Sequence, residues 1–339
     1  MLKNPRLLYL LLILPLAAAC IDEDDIYNDN TPSNNFEALW KIIDTQYCFL
    51  DYKTEQGCLS WDSVYLKYQP RISDSMTQDQ LFEVLCDMLA ELKDGHVNLY
   101  SASDVGRYWS WYEDYPDNFN DSIHDLYLGT DYKIASGLYY KIFSDNIGYI
   151  YYESFEDGIG EGNLDEVMDY LKLCTGLIVD VRNNGGGELD NAEKFAERFT
   201  NEKTLVGYIA HKTGTGHNDF SDPEAEYIDP SDGVRWQKNV VLLTNRACYS
   251  ATNTFVRDMK EFDKVILLGD STGGGSGLPF SSELPNGWGV RFSACPMYDA
   301  DMSQIEFGIA PDTAVAMTSD DIARNYDTLI ETARELLKR

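Results

Sequence analysis

Apolar residues recur at three- and four-residue spacings through the first third of the chain. Phe36, Leu39, Trp40, Ile43 and Tyr47 form one such stripe and predict an amphipathic helix. A second short helix is expected over Trp61–Tyr68, closed by Pro70. Thr77 and Gln80 have capping-box spacing and open a helix with Leu81, Phe82, Leu85, Met88, Leu89 and Leu92 on one face. That helix is expected to end at Asp94-Gly95, with Gly95 as the left-handed terminator. His96 then begins an alternating segment running to Tyr100. Residues 101–145 are rich in Tyr, Asp and Ser, with little periodicity, and predict loops and short strands. From Asn146 the pattern changes to strands alternating with helices. Strands are expected at 147–152, 176–181, 240–243 and 265–268. Helices are expected at 164–172, 190–199, after Ser250, and at 321–337. This alternation predicts an α/β fold, a mixed or parallel sheet flanked by helices, with a small helical domain before it.

The N-terminus changes the picture from a plain soluble chain. Lys3 and Arg6 precede an apolar run, Leu7 to Leu14, and small residues lead to Cys20. Residues 1–19 read as a secretory signal. Ala17-Ala-Ala-Cys20 resembles a bacterial lipobox, which implies acylation of Cys20 and a membrane partner through that lipid. The acidic run Asp22-Glu-Asp-Asp25 resembles the surface-export signal of lipoproteins in Bacteroides-like bacteria. An outer-membrane lipoprotein of the cell envelope is therefore expected, with residues 20–34 as a flexible tether. The chain has 27 Lys+Arg against 57 Asp+Glu, a net charge of −30, which disfavours nucleic acid as a partner. Its 7 cysteines show no CxxC or Cys/His spacing, and none of its 4 histidines forms HExxH. No metal or cofactor is expected. In an exported chain Cys48 and Cys58 are candidates for pairing.

Candidate chemistry gathers where strands run into loops. Val240 to Leu243 leads through Thr244-Asn-Arg-Ala-Cys-Tyr249 to Ser250 at a helix start. Such a serine is either an ordinary helix cap or a nucleophile beside free helix N–H groups. Asp180-Val-Arg-Asn-Asn-Gly-Gly-Gly187 is a tight turn or an anion-binding nest. The loop Gly269 to Gly277 is also Gly-rich, and neither loop has GK[ST] or GxGxxG order, so phosphate binding is excluded. His96 is the best-placed base, since His211 and His217 lie in a polar loop.

Four segments in order resemble the tail-specific, or C-terminal-processing, serine protease family. They are Leu92–His96, Leu177–Gly187, Val241–Ala251 and Ile305–Asp312, and the similarity extends over roughly 36–316. In one branch a lysine in a Gly-rich loop is the base, but Gly275 stands in its place here. His96 and Glu306 match the other branch, which resembles the tricorn protease core. The resemblance implies Ser250 as nucleophile, His96 as general base and Glu306 as the carboxylate that holds or supports His96. It implies an oxyanion hole from Ala251 with Gly186 or Gly187, and a peptide or protein substrate. Gly95 departs from the pattern, because the tricorn type has a serine just before its histidine. No PDZ domain is expected. The expected division is a helical domain at 35–100, a connecting segment at 101–145 and a catalytic domain at 146–339. A base with an ordinary histidine pKa would lose activity below about pH 6.5. The alternative is an inactive lipoprotein on the same fold that binds peptides or apolar ligands, as the retinoid-binding repeats of the vertebrate eye do. The Tyr and Trp content also permits a surface lipoprotein of a glycan-uptake system.

Overall fold

The computed structural model describes residues 29–57 and 60–338. The expected signal, the acylated Cys20, the acidic export run and Cys58 lie outside the described residues. Helix α1 (Pro32–Gln46) begins inside the stretch expected as tether, because Thr31 caps it by accepting from the Asn34 N–H and Pro32 sits in its first turn. Next come α2 (Leu50–Glu55), α3 (Trp61–Tyr68) and α4 (Gln78–Ala90). The Thr77/Gln80 capping box is formed in both directions. The left-handed residue after α4 is Lys93, with φ 49°, and not Gly95.

Two short strands, β1 (Asn98–Tyr100) and β2 (Val105–Arg107), precede α5 (Ser110–Glu113) and α6 (Asp121–Leu128). The large sheet then opens with β3 (Lys133–Ala135), β4 (Leu138–Ile142) and β5 (Ile147–Tyr152). It therefore starts inside the stretch expected to be an irregular connection. The chain continues through α7 (Glu161–Leu171), β6 (Gly176–Asp180), α8 (Leu189–Ala196), β7 (Thr204–Ile209), β8 (Glu224–Ile228) and β9 (Val240–Thr244). After them run α9 (Ala251–Lys260), β10 (Val265–Gly269), β11 (Leu278–Glu283), β12 (Gly289–Cys295), β13 (Met297–Tyr298) and β14 (Thr313–Ala314). The last helix is broken in two, α10 (Ser319–Ala323) and α11 (Thr328–Leu337), where one was expected. Asn325 takes a positive φ, and Asp327 caps α11 through the Leu329 and Ile330 N–H groups.

The seven-stranded sheet has the order β14-β10-β9-β6-β5-β4-β3. Strands from β5 to β14 pair in parallel, and β4 and β3 add antiparallel strands at one edge. Every residue of β5, β6 and β9 is buried, as expected of strands covered on both faces. One core lies under α7, α8 and α9, and a second under α11. A third core joins α1–α4 to Leu284, Val290, Phe292 and Cys295. The helical N-terminus is thus completed by a four-stranded sheet, β11-β12-β1-β2, most of which comes from the far end of the chain. A boundary near residue 100 does not divide these cores.

Candidate active site

Parallel strands β6, β9 and β10 end side by side, so the loops that follow them meet at one end of the sheet. Ser250 follows β9 and starts α9. It occupies the N-cap position but makes no capping bond, and its backbone has φ 58°, ψ −123°. A non-glycine residue in that region costs about 1–3 kcal/mol and persists where the surroundings enforce it. The backbone is enforced here by Tyr249 N–H to Asn184 O at 3.2 Å and Ser250 N–H to Gly274 O at 3.0 Å. The hydroxyl is thereby turned away from its helix and toward the segment after α4, where Ser250 Oγ lies 2.9 Å from His96 Nε2. Ser250 and His96, expected as nucleophile and base, are 154 positions apart in sequence and in contact.

Gly186 packs directly against the nucleophile turn, where a Cβ would lie 2.7 Å from Tyr249 O and 2.8 Å from Ser250 Cβ. Its N–H, however, donates to Asn184 Oδ1 at 2.9 Å. Of the three expected oxyanion donors, Gly186 is therefore engaged. The Gly187 and Ala251 N–H groups donate to no described residue.

Glu306 reaches the same buried cluster without touching the imidazole. One carboxylate oxygen lies 3.1 Å from Lys53 Nζ, and the other accepts the Ser276 N–H at 3.1 Å. The expected contact with His96 is not made: among the described residues His96 Nδ1 is buried and meets no acceptor. The physical reason is the cation. Lys53 on α2 is a buried ammonium that also donates to Leu92 O at 2.7 Å, and it draws the carboxylate to itself. The carboxylate beside the base is Asp94. It accepts the His96 N–H at 2.7 Å, Tyr47 Oη–H at 2.9 Å, Ser293 Oγ–H at 3.0 Å and Tyr249 Oη–H at 3.3 Å.

These groups set one another's protonation. Burial pushes His96 down to about 4, against the pull of Asp94, so the ring is neutral at neutral pH and competent as a base. Burial, with the Asp94 charge added, raises Glu306 to about 7, against Lys53 and the Ser276 N–H. Burial alone would raise Asp94 too, but Lys53, His96 and the hydrogen bonds from the His96 N–H and Tyr47 outweigh it and hold it below the ordinary carboxylate range.

Lys53 and Tyr249 were not expected in the site, and Asp94 was expected only as part of the Asp94-Gly-His96 motif, without a role of its own. Asp94 stands two residues before the base, and Lys53 falls four residues after Phe49 and three after Leu50, on a buried helix face. Such a lysine on an apolar stripe is the signal that sequence offers for a buried ion pair. His217, expected as a surface residue, bridges Asp44 at 3.0 Å and Asp51 at 2.8 Å.

Comparisons with known proteins identify the family of the chain. A model of Peptidase family S41 matches residues 146–315, and one of the Tricorn protease C1 domain matches residues 29–90. The carboxy-terminal processing protease CtpA of Bacillus subtilis is 25% identical over 190 residues, which cover 55% of this chain and 39% of that protein. The chain thus spans well under half the length of the curated relatives it matches. A solved structure of a candidate peptidase from Parabacteroides merdae is 55% identical, with a TM-score of 0.87, covering 91% of this chain and 97% of that one. Mature CPAF complexed with lactacystin shares the fold, with a TM-score of 0.69 at 10% identity over 91% of this chain and 97% of that one.

Proposed function

We propose, from the premise that the chain belongs to peptidase family S41, that it is a serine endopeptidase acting through a Ser250 acyl-enzyme. One observation carries this reading: the Ser250 hydroxyl leaves its helix uncapped and meets His96 Nε2 at 2.9 Å. His96 removes the hydroxyl proton as Oγ attacks the peptide carbonyl carbon. The oxyanion formed is held by the Ala251 N–H at the start of α9, with Gly187 as second donor. Collapse breaks the C–N bond, and His96 returns its proton to the leaving amine. Water then repeats the sequence on the ester. Asp94, and not Glu306, is the carboxylate that stabilises the transient imidazolium. Glu306 and Lys53 set the field around Asp94.

The substrate class is an extended peptide or protein segment, bound by main-chain pairing at a strand edge. Cys20 carries the lipid anchor, and the enzyme acts in the cell envelope at the outer membrane. Cys20→Ala is expected to release it from the membrane fraction. A fluorophosphonate is expected to label Ser250 in the folded protein and not in His96→Ala. Absence of labelling overturns the peptidase reading and favours the ligand-binding alternative, which the unpartnered His96 Nδ1 supports. With His96 at about 4, hydrolysis is expected to persist to about pH 5, below the limb expected of an ordinary histidine. A half-maximum near pH 6.5 would show that the base is solvated.

A further inference from the structure

We propose that Tyr249 is the positioning residue that holds His96, in the place of the serine missing at position 95; this rests on the peptidase reading above. Among the described residues the imidazole has no acceptor at Nδ1, so none of them fixes its rotation by hydrogen bonding through that atom. What packs on it is the Tyr249 ring, with centroids 5.0 Å apart. The other neighbour of that ring is the Trp111 indole on α5, stacked at 4.0 Å and 27°. The Tyr249 hydroxyl donates to Asp94 Oδ1, the same atom that accepts the His96 N–H. Burial raises the phenol well above its ordinary range, so it remains a donor. Tyr249 is therefore fixed by a stack on one side and by an anchored carboxylate at its tip.

Both departures from the family motifs lie against the Tyr249 side chain, position 95 beside its hydroxyl and position 275 beside its ring. A Cβ at Gly95 would lie 2.6 Å from Trp111 Nε1 and 2.9 Å from Tyr249 Oη. A Cβ at Gly275, where the other branch has its lysine, would overlap the Tyr249 ring itself. The space at position 275 is filled by Tyr249, and that at position 95 by Trp111 together with the Tyr249 hydroxyl. Because Tyr249 immediately precedes Ser250, the residue that steadies the base is covalently joined to the nucleophile. Any shift of the turn carries both together.

The test compares turnover per active site, counted by fluorophosphonate titration, in purified full-length protein. Tyr249→Phe keeps the ring and is expected to retain kcat within about 5-fold. Tyr249→Ala is expected to lower kcat by about 100-fold with KM little changed, the scale of a small misplacement of a catalytic group. Gly95→Ser is expected to lower kcat, because Trp111 and the Tyr249 hydroxyl already occupy the space its Cβ would take. An unchanged kcat per site in Tyr249→Ala overturns the proposal. Failure of wild-type protein to label sinks the peptidase reading instead. In that event nitrogen NMR of labelled histidine still decides the positional role. Its expected result is a single ordered His96 signal in wild type and Tyr249→Phe, averaged in Tyr249→Ala. An ordered His96 in Tyr249→Ala overturns it.

Discussion

Two buried ionic clusters lie beneath the loops of this molecule, each with one cation and two carboxylates, and they are built to opposite ends. Under the loop that follows β6, Arg182 donates to Asp180 at 2.9 and 2.6 Å, to Asp327 at 3.2 and 3.0 Å, and to Asn118 O at 3.2 Å. The planar guanidinium fork finds an acceptor for each of its three nitrogens. Under His96, Lys53 faces Glu306 and Asp94 as a single point charge. There Glu306 is raised to about 7, and His96 Nδ1 and Ser276 Oγ are buried without partners among the described residues. The saturated cluster is a fixed support, pinning β6 to the start of α11. The unsaturated one can change its protonation near neutral pH, as functional clusters do.

The contrast breaks first at its cations. Arg182→Met leaves two carboxylates buried without a cation and is expected to cost about 3–5 kcal/mol in urea denaturation. Lys53→Met is expected to cost less, about 2 kcal/mol, because Glu306 escapes by taking a proton. Glu306 binds its proton more tightly folded than unfolded. Its contribution is therefore complete below its ordinary value of 4.5 and is lost as pH rises through about 7. In Lys53→Met that loss is expected to continue above pH 7, visible as a steeper fall in stability between pH 7 and 9. Equal costs for the two cations would erase the distinction between support and titrating cluster. Ser250→Gly relieves a positive φ and is expected to raise stability by about 1 kcal/mol while abolishing turnover. Glu306→Gln keeps one acceptor oxygen, so either Lys53 or the Ser276 N–H loses its partner, and stability is expected to fall by about 1 kcal/mol. A larger loss would mean that the charge of Glu306 is needed at neutral pH.

The local features were legible because they are written within a few residues of one another. The Trp61–Tyr68 helix and the Thr77 box need only their own side chains, and the buried strands show as apolar runs. Ser250 was legible as a position, since a strand, a polar turn and a helix meet there. Its role was not, because a cap and a nucleophile have the same sequence and differ only in backbone angle. The break at Asn325–Asp327 was missed for a related reason: Asp327 is drawn from the helix by Arg182, 145 positions away. Short strands were expected within 101–145, but their place in the large sheet was not, because the pairing of β4 with β5 and of β3 with β4 is decided by tertiary contact.

By itself, the sequence determined the α/β alternation, the three loops that follow β6, β9 and β10, and the candidate residues Ser250 and His96 that the fold brings into contact. The tertiary structure alone decided which carboxylate stands by the base, which glycine N–H is already engaged, and why positions 95 and 275 are glycine. Each of those answers depends on atoms from α2, α5 and the turn before α9 competing for one small volume. Spacing along a chain records hydrogen bonds to near neighbours. It does not record which of several distant side chains occupies a shared space once the loops have closed.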